Sequence, residues 1–143
     1  MELGTLGAVL KFALDIENRA CSFYELACSA TTNPNLVAQF EELVQRGQKR
    51  IETLMRIRRE HTTEMILEPI TGLNSDTYNP ITAIPEGGDE GTLQLVAVAI
   101  ETELRDFYTA AANKIGFLSE VAYSFEQLAD ENSEAIQHLS RGF

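Results

Sequence analysis

Residues 13–24 read ALDIENRACSFY, and they predict an amphipathic helix with a carboxylate on its inward face. At about 100° per residue, one stripe of this helix is apolar except for Glu17 and, two turns later, Tyr24. The stripe comprises Leu6, Leu10, Ala13, Glu17, Ala20, Tyr24 and Ala27. An isolated buried charge is very costly, so Glu17 needs a cation, a metal or a proton donor as its partner. The main functional question is therefore which group is the partner of Glu17.

The same pattern returns later in the chain. Glu101 is followed six residues later by the aromatic pair 107–108, as Glu17 is followed by the pair 23–24. The offset between the two glutamates is 84 residues. Residues 40–43 (FEEL) and 125–128 (FEQL) match at an offset of 85. The two halves therefore read as an internal repeat of one helix pair.

The periodicity predicts four long helices, at about residues 2–30, 34–61, 90–114 and 119–140. Asn33 is the expected cap of the second helix, Gly116 the C′ residue after the third, and Ser119 the cap of the fourth. The expected inward residues of helix 2 are Leu36, Phe40, Leu43, Gly47, Arg50, Leu54 and Ile57. Those of helix 3 are Ala97, Glu101, Leu104, Tyr108 and Ala111, and those of helix 4 are Val121, Phe125, Leu128, Asn132, Ala135 and Leu139.

Residues 62–89 show no helical period and contain several prolines and glycines. A long irregular segment inside a compact domain needs a reason, and a crossover along the length of a bundle supplies one. We expect it to be packed down by Met65, Ile66, Leu67 and Ile70. The predicted fold is all-α: a single domain over residues 1–143, a four-helix bundle with one long crossover between helices 2 and 3.

The composition excludes several classes of function. The chain has 143 residues, with 22 acidic against 11 basic ones, and its net charge of −11 argues against nucleic-acid binding and against an anionic membrane surface. No apolar run approaches a membrane span, and the N-terminus does not read as a signal peptide. We therefore expect a cytoplasmic protein. Cys21 and Cys28, seven residues apart on one helix, lie about 10 Å from each other, too far for a disulfide.

This layout resembles the rubrerythrin branch of the ferritin-like superfamily, over essentially the whole chain and in pattern rather than in long identities. Members carry an inward Glu on helices 1 and 3, each followed by an aromatic pair. On helices 2 and 4 they carry a Phe-x-x-Leu-Ala-x-Glu-Glu-x-x-His segment. The resemblance implies a ferritin-like bundle with two iron ions, whose chemistry is peroxide or oxygen reduction, or iron oxidation.

Carried over residue by residue, Glu17 and Glu101 match the ligands of helices 1 and 3. The other four ligand positions fall on Gly47, Arg50, Asn132 and Ala135. None of these four keeps the family's ligand type, and Glu131, which matches the first Glu of the helix 4 pair, is expected about 90° away from the inward direction. The family's Cys-x-x-Cys iron module is missing as well. We expect no di-iron centre.

Arg50 offers another partner for the two glutamates. It is expected inward, facing Glu17 and Glu101, and Arg105 lies one helical turn after Glu101. A guanidinium group can serve carboxylates through paired hydrogen bonds, and Tyr24, Tyr108 and Asn132 can supply further ones. The alternative is that Arg50 extends to solvent and one glutamate is partly hydrated. We expect the internal pair. His61 and His138 should lie at opposite ends of the bundle, in surface or packing roles.

Three functions remain open. The favoured one is a ferritin-like protein that has lost its di-iron chemistry and serves as a non-catalytic binding or interaction module, with no cofactor. The second is a metal-binding protein or oxidoreductase with a reduced carboxylate site at Glu17 and Glu101, where a divalent metal would bind weakly. The third is an anion-binding pocket at Arg50 and Arg105.

Partners cannot be named from the sequence. The family resemblance implies a homo-oligomer, and we expect a dimer, with an unknown protein partner as the other option. The expected contact residues extend the apolar arc of helix 3, namely Leu93, Val96, Ile100 and Phe107.

Overall fold

The computed structural model describes residues 1–66, 70–80 and 89–141. Its regular structure is helical: α1 (Leu6–Ala30), α2 (Pro34–Glu60), α3 (Glu90–Lys114) and α4 (Ser119–Arg141). Two single 3₁₀ turns lie between α2 and α3, and no strand occurs within the described ranges. The prediction of an all-α chain with four long helices is confirmed.

The start of α1 differs from the prediction. The helix begins at Leu6 and not at residue 2, because Thr5 caps it with an Oγ1 that accepts the Ala8 N–H at 3.1 Å. Glu2 instead forms an isolated antiparallel bridge with Asn74. A side-chain oxygen at the cap satisfies an amide that the first turn leaves free, so the helix starts at the threonine.

The other helix ends follow the sequence more closely. Asn33 caps α2, as predicted, by accepting the amides of Asn35 and Leu36, and Pro34 occupies the first turn. Asp89 caps α3 through the Thr92 amide, a cap that the sequence analysis missed.

The turn between α3 and α4 departs from the prediction in detail. Gly116 follows the C-cap Ile115, but it lacks the positive φ of a left-handed cap; among the described glycines only Gly72 has one, at 81°. Ser119 is the first residue of α4 and not the residue before it. These differences move helix ends by a residue and leave the inward faces unchanged.

Side-chain contacts fix the relative directions of the helices. Gln94, near the start of α3, donates to Gln39 near the start of α2 and to the carbonyl of Leu139 near the end of α4. Glu90 accepts hydrogen bonds from Thr31 and Asn33, between α1 and α2. Therefore α2 and α3 begin at the same end of the bundle, where α1 and α4 end.

The segment after α2 packs against the start of α1. Gly7 donates its amide to the Met65 carbonyl at 3.2 Å, and the Ile70 amide donates to Gly4 at 2.7 Å. Ile70 is buried and Met65 packs against the core, as predicted. Ile66 was expected to pack down as well, but its side chain is 82% exposed. Leu67 lies outside the described residues.

The core is built from the predicted stripes. Every residue expected inward on α1, α2, α3 and α4 is buried. The arc of α3 that was expected to form a dimer surface is different: Leu93, Ile100 and Phe107 are buried within the chain itself, and only Val96 is half-buried. Phe107, for example, packs edge-on against Phe12. None of the helices in the described ranges has the length and apolar character that a membrane-spanning segment requires.

Candidate functional site

Arg50 lies at the centre of the bundle, where its guanidinium group bonds to three carboxylates. Its Nε donates to Oε1 of Glu17 at 2.8 Å, its Nη2 to Oε2 of Glu101 at 3.1 Å, and its Nη1 to Oε1 of Glu131 at 3.1 Å. The side chains of Arg50, Glu17 and Glu101 are fully buried. The internal pair expected from the sequence is therefore present, and it involves both glutamates.

Two phenols and an amide complete the bonding of the glutamates. Tyr108 donates its hydroxyl to Oε1 of Glu17 at 2.6 Å, and Tyr24 donates to Oε2 of Glu101 at 2.7 Å. Asn132 donates through Nδ2 to Oε1 of Glu101 at 3.2 Å. Each tyrosine thus serves the glutamate of the other helix pair. We call these seven residues the Arg50 cluster, that is Arg50, Glu17, Glu101, Glu131, Tyr24, Tyr108 and Asn132.

Aromatic stacking holds the two phenols in place. The Tyr24 ring stacks on Phe40 with an interplanar angle of 19°, and the Tyr108 ring stacks on Phe125 with an angle of 22°. Stacked ring contacts of this kind are favourable, and each one packs a phenol ring against the adjacent helix. The phenylalanines that begin the two matching tetrapeptides thereby orient the donors of the cluster.

The surroundings shift the pKa values of the cluster in identifiable directions. Burial raises the pKa of Glu17; Arg50 lowers it in part, and Glu101 raises it further. Burial by itself lowers the pKa of Arg50, but Glu101, Glu17 and Glu131 outweigh that effect and raise it. Arg50 therefore carries its charge at all ordinary pH values. The phenol of Tyr108, buried beside Glu17, has a pKa raised well above 10.0 and stays protonated as a donor.

The two central glutamates differ in how well they are bonded. Both oxygens of Glu101 accept hydrogen bonds, from Tyr24, Arg50 and Asn132. Oε1 of Glu17 accepts two, whereas its Oε2 is buried without a partner in the part of the chain that the structure describes. Oδ1 of Asn132 is also without a partner there. Glu17 is accordingly the less stabilised of the two anions.

Gly47 allows this arrangement by having no side chain. A Cβ atom at this position would lie 2.6 Å from Sγ of Cys21 and 3.8 Å from Oε2 of Glu17. The thiol of Cys21 therefore fills the space beside the glycine. Burial, and next the charge of Glu17, raise the pKa of this thiol to about 11, so it is a neutral packing group.

Glu131 is a site residue that the sequence analysis missed. It was expected to point away from the centre, but it binds Arg50, and its side chain is 29% exposed. Its Oε1 also lies 3.7 Å from Arg46, which pairs in turn with Glu42 and Glu134. The long guanidinium arm of Arg50 reaches to the edge of the inward face, where helical geometry had placed Glu131. A prediction that considered the reach of both side chains, and not only their directions, could have found Glu131.

Besides Gly47, two residues assigned to the site from the sequence do not join the cluster. Arg105 bonds to its neighbour Asp106 at 3.3 Å, and its side chain is 38% exposed. Because Arg50 and Arg105 serve different carboxylates, they do not form a shared anion pocket. Ala135 is buried, one turn after Asn132, and it contributes packing only.

The histidines also lie apart from the cluster. His138 faces Glu42 and Glu134 at 3.8 and 4.0 Å, at the surface. His61 lies near Glu64 after the end of α2. Since α2 and α4 run in opposite directions, these two histidines belong to opposite ends of the bundle.

The residues present do not fit the two iron ions that the resemblance implies. A metal between Glu17 and Glu101 would have to share these carboxylates with Arg50, whose nitrogens lie 2.8–3.1 Å from one oxygen of each, and the guanidinium charge would repel it. Gly47 has no room for a ligand side chain beside Cys21. Within the described residues, no cluster of three or more His, Cys, Asp or Glu side chains is arranged to hold a metal.

Comparisons with known protein families, with curated proteins and with solved structures find no match to this chain.

Proposed function

We propose that this chain is a single-domain, ferritin-like bundle in which Arg50 has taken the place of the metals. In this proposal the protein works as a non-catalytic binding or interaction module. The observation that carries the proposal is the position of Arg50 between Glu17 and Glu101, with a hydrogen bond to each. A permanent internal cation binds one oxygen of each glutamate and repels a metal ion, and it cannot accept or donate electrons.

The directions of the helices support the ferritin-like layout. Because α2 and α3 begin at the same end of the bundle, a connection between them has to travel the length of α2. We infer that this crossover is made by residues 62–89, of which 67–69 and 81–88 lie outside the described residues. In agreement, Met65 lies beside Gly7 near the start of α1, whereas Asn79 accepts a hydrogen bond from Arg19, further along α1.

The internal repeat has independent support. Tyr24 serves Glu101 while Tyr108 serves Glu17, and each phenol stacks on the phenylalanine of its own half. This exchange is what a pseudo-two-fold relation between two helix pairs produces. The amide donor Asn132 breaks the symmetry, because its position in α4 corresponds to Gly47 of α2 in the alignment of the repeats.

Metal analysis tests the loss of di-iron chemistry. The protein should be purified from its native host without oxygen, and its iron, manganese and zinc contents measured per chain. We expect no stoichiometric pair of metals and no peroxide or oxygen turnover. Two irons per chain would overturn the proposal and would mean that the alignment from Phe40 and Phe125 is out of register.

The alternative function, a metal site made of Glu17 and Glu101 alone, makes a different prediction for the wild-type chain. A metal held by Glu17 and Glu101 has to displace Arg50, so tight Mn²⁺ binding would come with release of the guanidinium group. Titration with Mn²⁺, followed through the nitrogen resonances of Arg50, separates the two cases. Unchanged Arg50 resonances are expected.

A second copy of the chain is the partner that we propose first. Leu93, Ile100 and Phe107 are not available for it, since they are buried in the bundle. Exposed apolar side chains on the described surface include Leu26 and Leu95, at 57% and 67% exposure. Sedimentation equilibrium of the wild type and of Leu95→Glu is the direct test. A monomer at all concentrations would reject self-association and leave an unrelated protein as the partner.

A further inference from the structure

The guanidinium group of Arg50 is bound through all three of its nitrogens, each to a carboxylate from a different helix. Nε meets Glu17 of α1, Nη2 meets Glu101 of α3, and Nη1 meets Glu131 of α4. A guanidinium ion is planar and directs its N–H groups outward around its carbon. Three acceptors around its rim match that shape, whereas an ammonium group presents its donors from a single point.

We propose that Glu17, Glu101 and Glu131 form a binding site for a planar guanidinium cation, which Arg50 occupies from within the chain. A free alkylguanidinium ion should bind to the same three carboxylates when the side chain of Arg50 is shortened. The ligand class is thus an organic cation and not a metal. This inference does not depend on the partner-binding role proposed above.

Two of the three acceptors, Glu17 and Glu101, are held in place by groups other than Arg50. Tyr108 fixes Oε1 of Glu17, and Tyr24 and Asn132 fix the two oxygens of Glu101. These donors are buried and remain when Arg50 is changed. The positions of the Glu17 and Glu101 carboxylates are therefore pre-organised, which lowers the ordering cost of binding a cation there.

Glu131 provides the access route. It is the partly exposed carboxylate of the three, at 29%, and it lies between buried Arg50 and half-buried Arg46. A small cation from solvent can reach the centre by passing this side chain. Arg46 pairs with carboxylates in the same region but is 16% exposed, so it is a matched control on the same helix.

Chemical rescue tests the site. Arg50→Ala removes the atoms of an ethylguanidinium ion, so this ion is the probe, at low millimolar concentration, with ethylammonium at equal ionic strength as the comparison. We expect ethylguanidinium to raise the melting temperature of Arg50→Ala by on the order of 5 °C, and ethylammonium to leave it nearly unchanged. Wild type and Arg46→Ala should gain nothing from either ion. Equal effects of the two ions on Arg50→Ala, or no effect, would overturn the proposal.

A measurement on the wild type covers the case in which Arg50→Ala does not fold. A guanidinium held at three nitrogens cannot rotate freely about its C–N bonds. Nitrogen-detected NMR should therefore show separate, exchange-protected Nη1 and Nη2 signals for Arg50, and averaged signals for exposed Arg56. A single averaged Nη signal for Arg50 would overturn the three-point binding. Neither experiment depends on metal content, so their failure is distinct from failure of the proposed function.

Discussion

Gly47 of α2 and Cys21 of α1 are packed so closely that a Cβ atom on Gly47 would lie 2.6 Å from the Cys21 Sγ. The thiol fills the space that a larger residue at position 47 would take, directly beside Oε2 of Glu17. This contact explains why a glycine is accommodated in the middle of a 27-residue helix, where it costs conformational entropy.

The packing of Gly47 against Cys21 predicts that Gly47→Ala changes the stability in opposite directions in the wild type and in the Cys21→Ala variant. In the wild type, Gly47→Ala forces Sγ to move and should destabilise the protein by about 1 kcal/mol, since overpacking outweighs the gain in helix propensity. In Cys21→Ala, the same substitution should stabilise by about 1 kcal/mol. Urea melts followed by circular dichroism measure both. Equal effects in the two backgrounds would show that the thiol does not control the site.

Replacing Arg50 with Ala should cost about 3–5 kcal/mol near neutral pH, because it leaves buried carboxylates without their cation. Arg50 lowers the pKa of Glu17, so its loss raises that pKa further. The variant then takes up a proton in the folded state, and its stability is recovered in part as the pH falls. The deficit relative to wild type should be smaller at about pH 5 than at about pH 8.

Arg46→Ala is the control for Arg50→Ala. Arg46 is half-buried, but its carboxylate partners Glu42, Glu131 and Glu134 all contact solvent, so its loss should cost less than that of Arg50, about 1 kcal/mol, with little dependence on pH in this range. Arg50→Lys keeps the charge but loses the planar fork, so its stability should fall between those of Arg50→Ala and wild type. A small, pH-independent loss in Arg50→Ala would contradict the buried ion pairs.

The two central glutamates should respond differently to neutralisation. Glu17→Gln can turn its amide nitrogen to the unpartnered Oε2 position, whereas in Glu101→Gln the amide nitrogen must face a donor at either position. Glu101→Gln should therefore be the more destabilising, by about 1–3 kcal/mol. Denaturant melts of both variants at neutral pH decide the order, and a greater loss in Glu17→Gln would contradict it.

Glu17→Gln should also change the pH dependence. The folded-state pKa of Glu17 is raised above its ordinary value of 4.5, so the folded chain binds more protons than the unfolded chain just above that value. The stability contributed by this group is complete below 4.5 and is lost as the pH rises through the folded-state pKa. Denaturant melts of Glu17→Gln should show no such decline in stability as the pH rises. An identical pH profile in wild type and Glu17→Gln would show that the pKa is not raised.

Removal of the two phenol hydroxyls should also have unequal effects on stability. Tyr108→Phe leaves Glu17 with Arg50 as its remaining donor, whereas Tyr24→Phe leaves Glu101 with both Arg50 and Asn132. Tyr108→Phe should lose about 1.5–3 kcal/mol, and Tyr24→Phe less. The chain contains no Trp, so circular dichroism is the suitable probe of unfolding. The reverse order would show that the bonds of Glu101 matter more.

The sequence by itself determined the helices and their inward faces. A 3.6-residue period sustained over about 25 residues selects one stripe, and every predicted inward residue from Leu6 to Leu139 is buried. That same period placed Arg50 opposite Glu17 and Glu101. Local chemistry also predicted the Asn33 cap, because its oxygen and the amides it serves are close in sequence.

The tertiary structure decided which side chains meet across helices. Glu131 joins Arg50 because a long guanidinium arm reaches beyond the stripe, and Arg105 turns to adjacent Asp106 because an exposed partner needs no desolvation. Phe107 is buried because Phe12 and Tyr78 pack on a face of α3 that lies outside its central stripe. The helical period gives the direction of each Cβ atom. How far a long side chain reaches, which segments pack beside it and which partners compete for it are decided only when the helices are assembled.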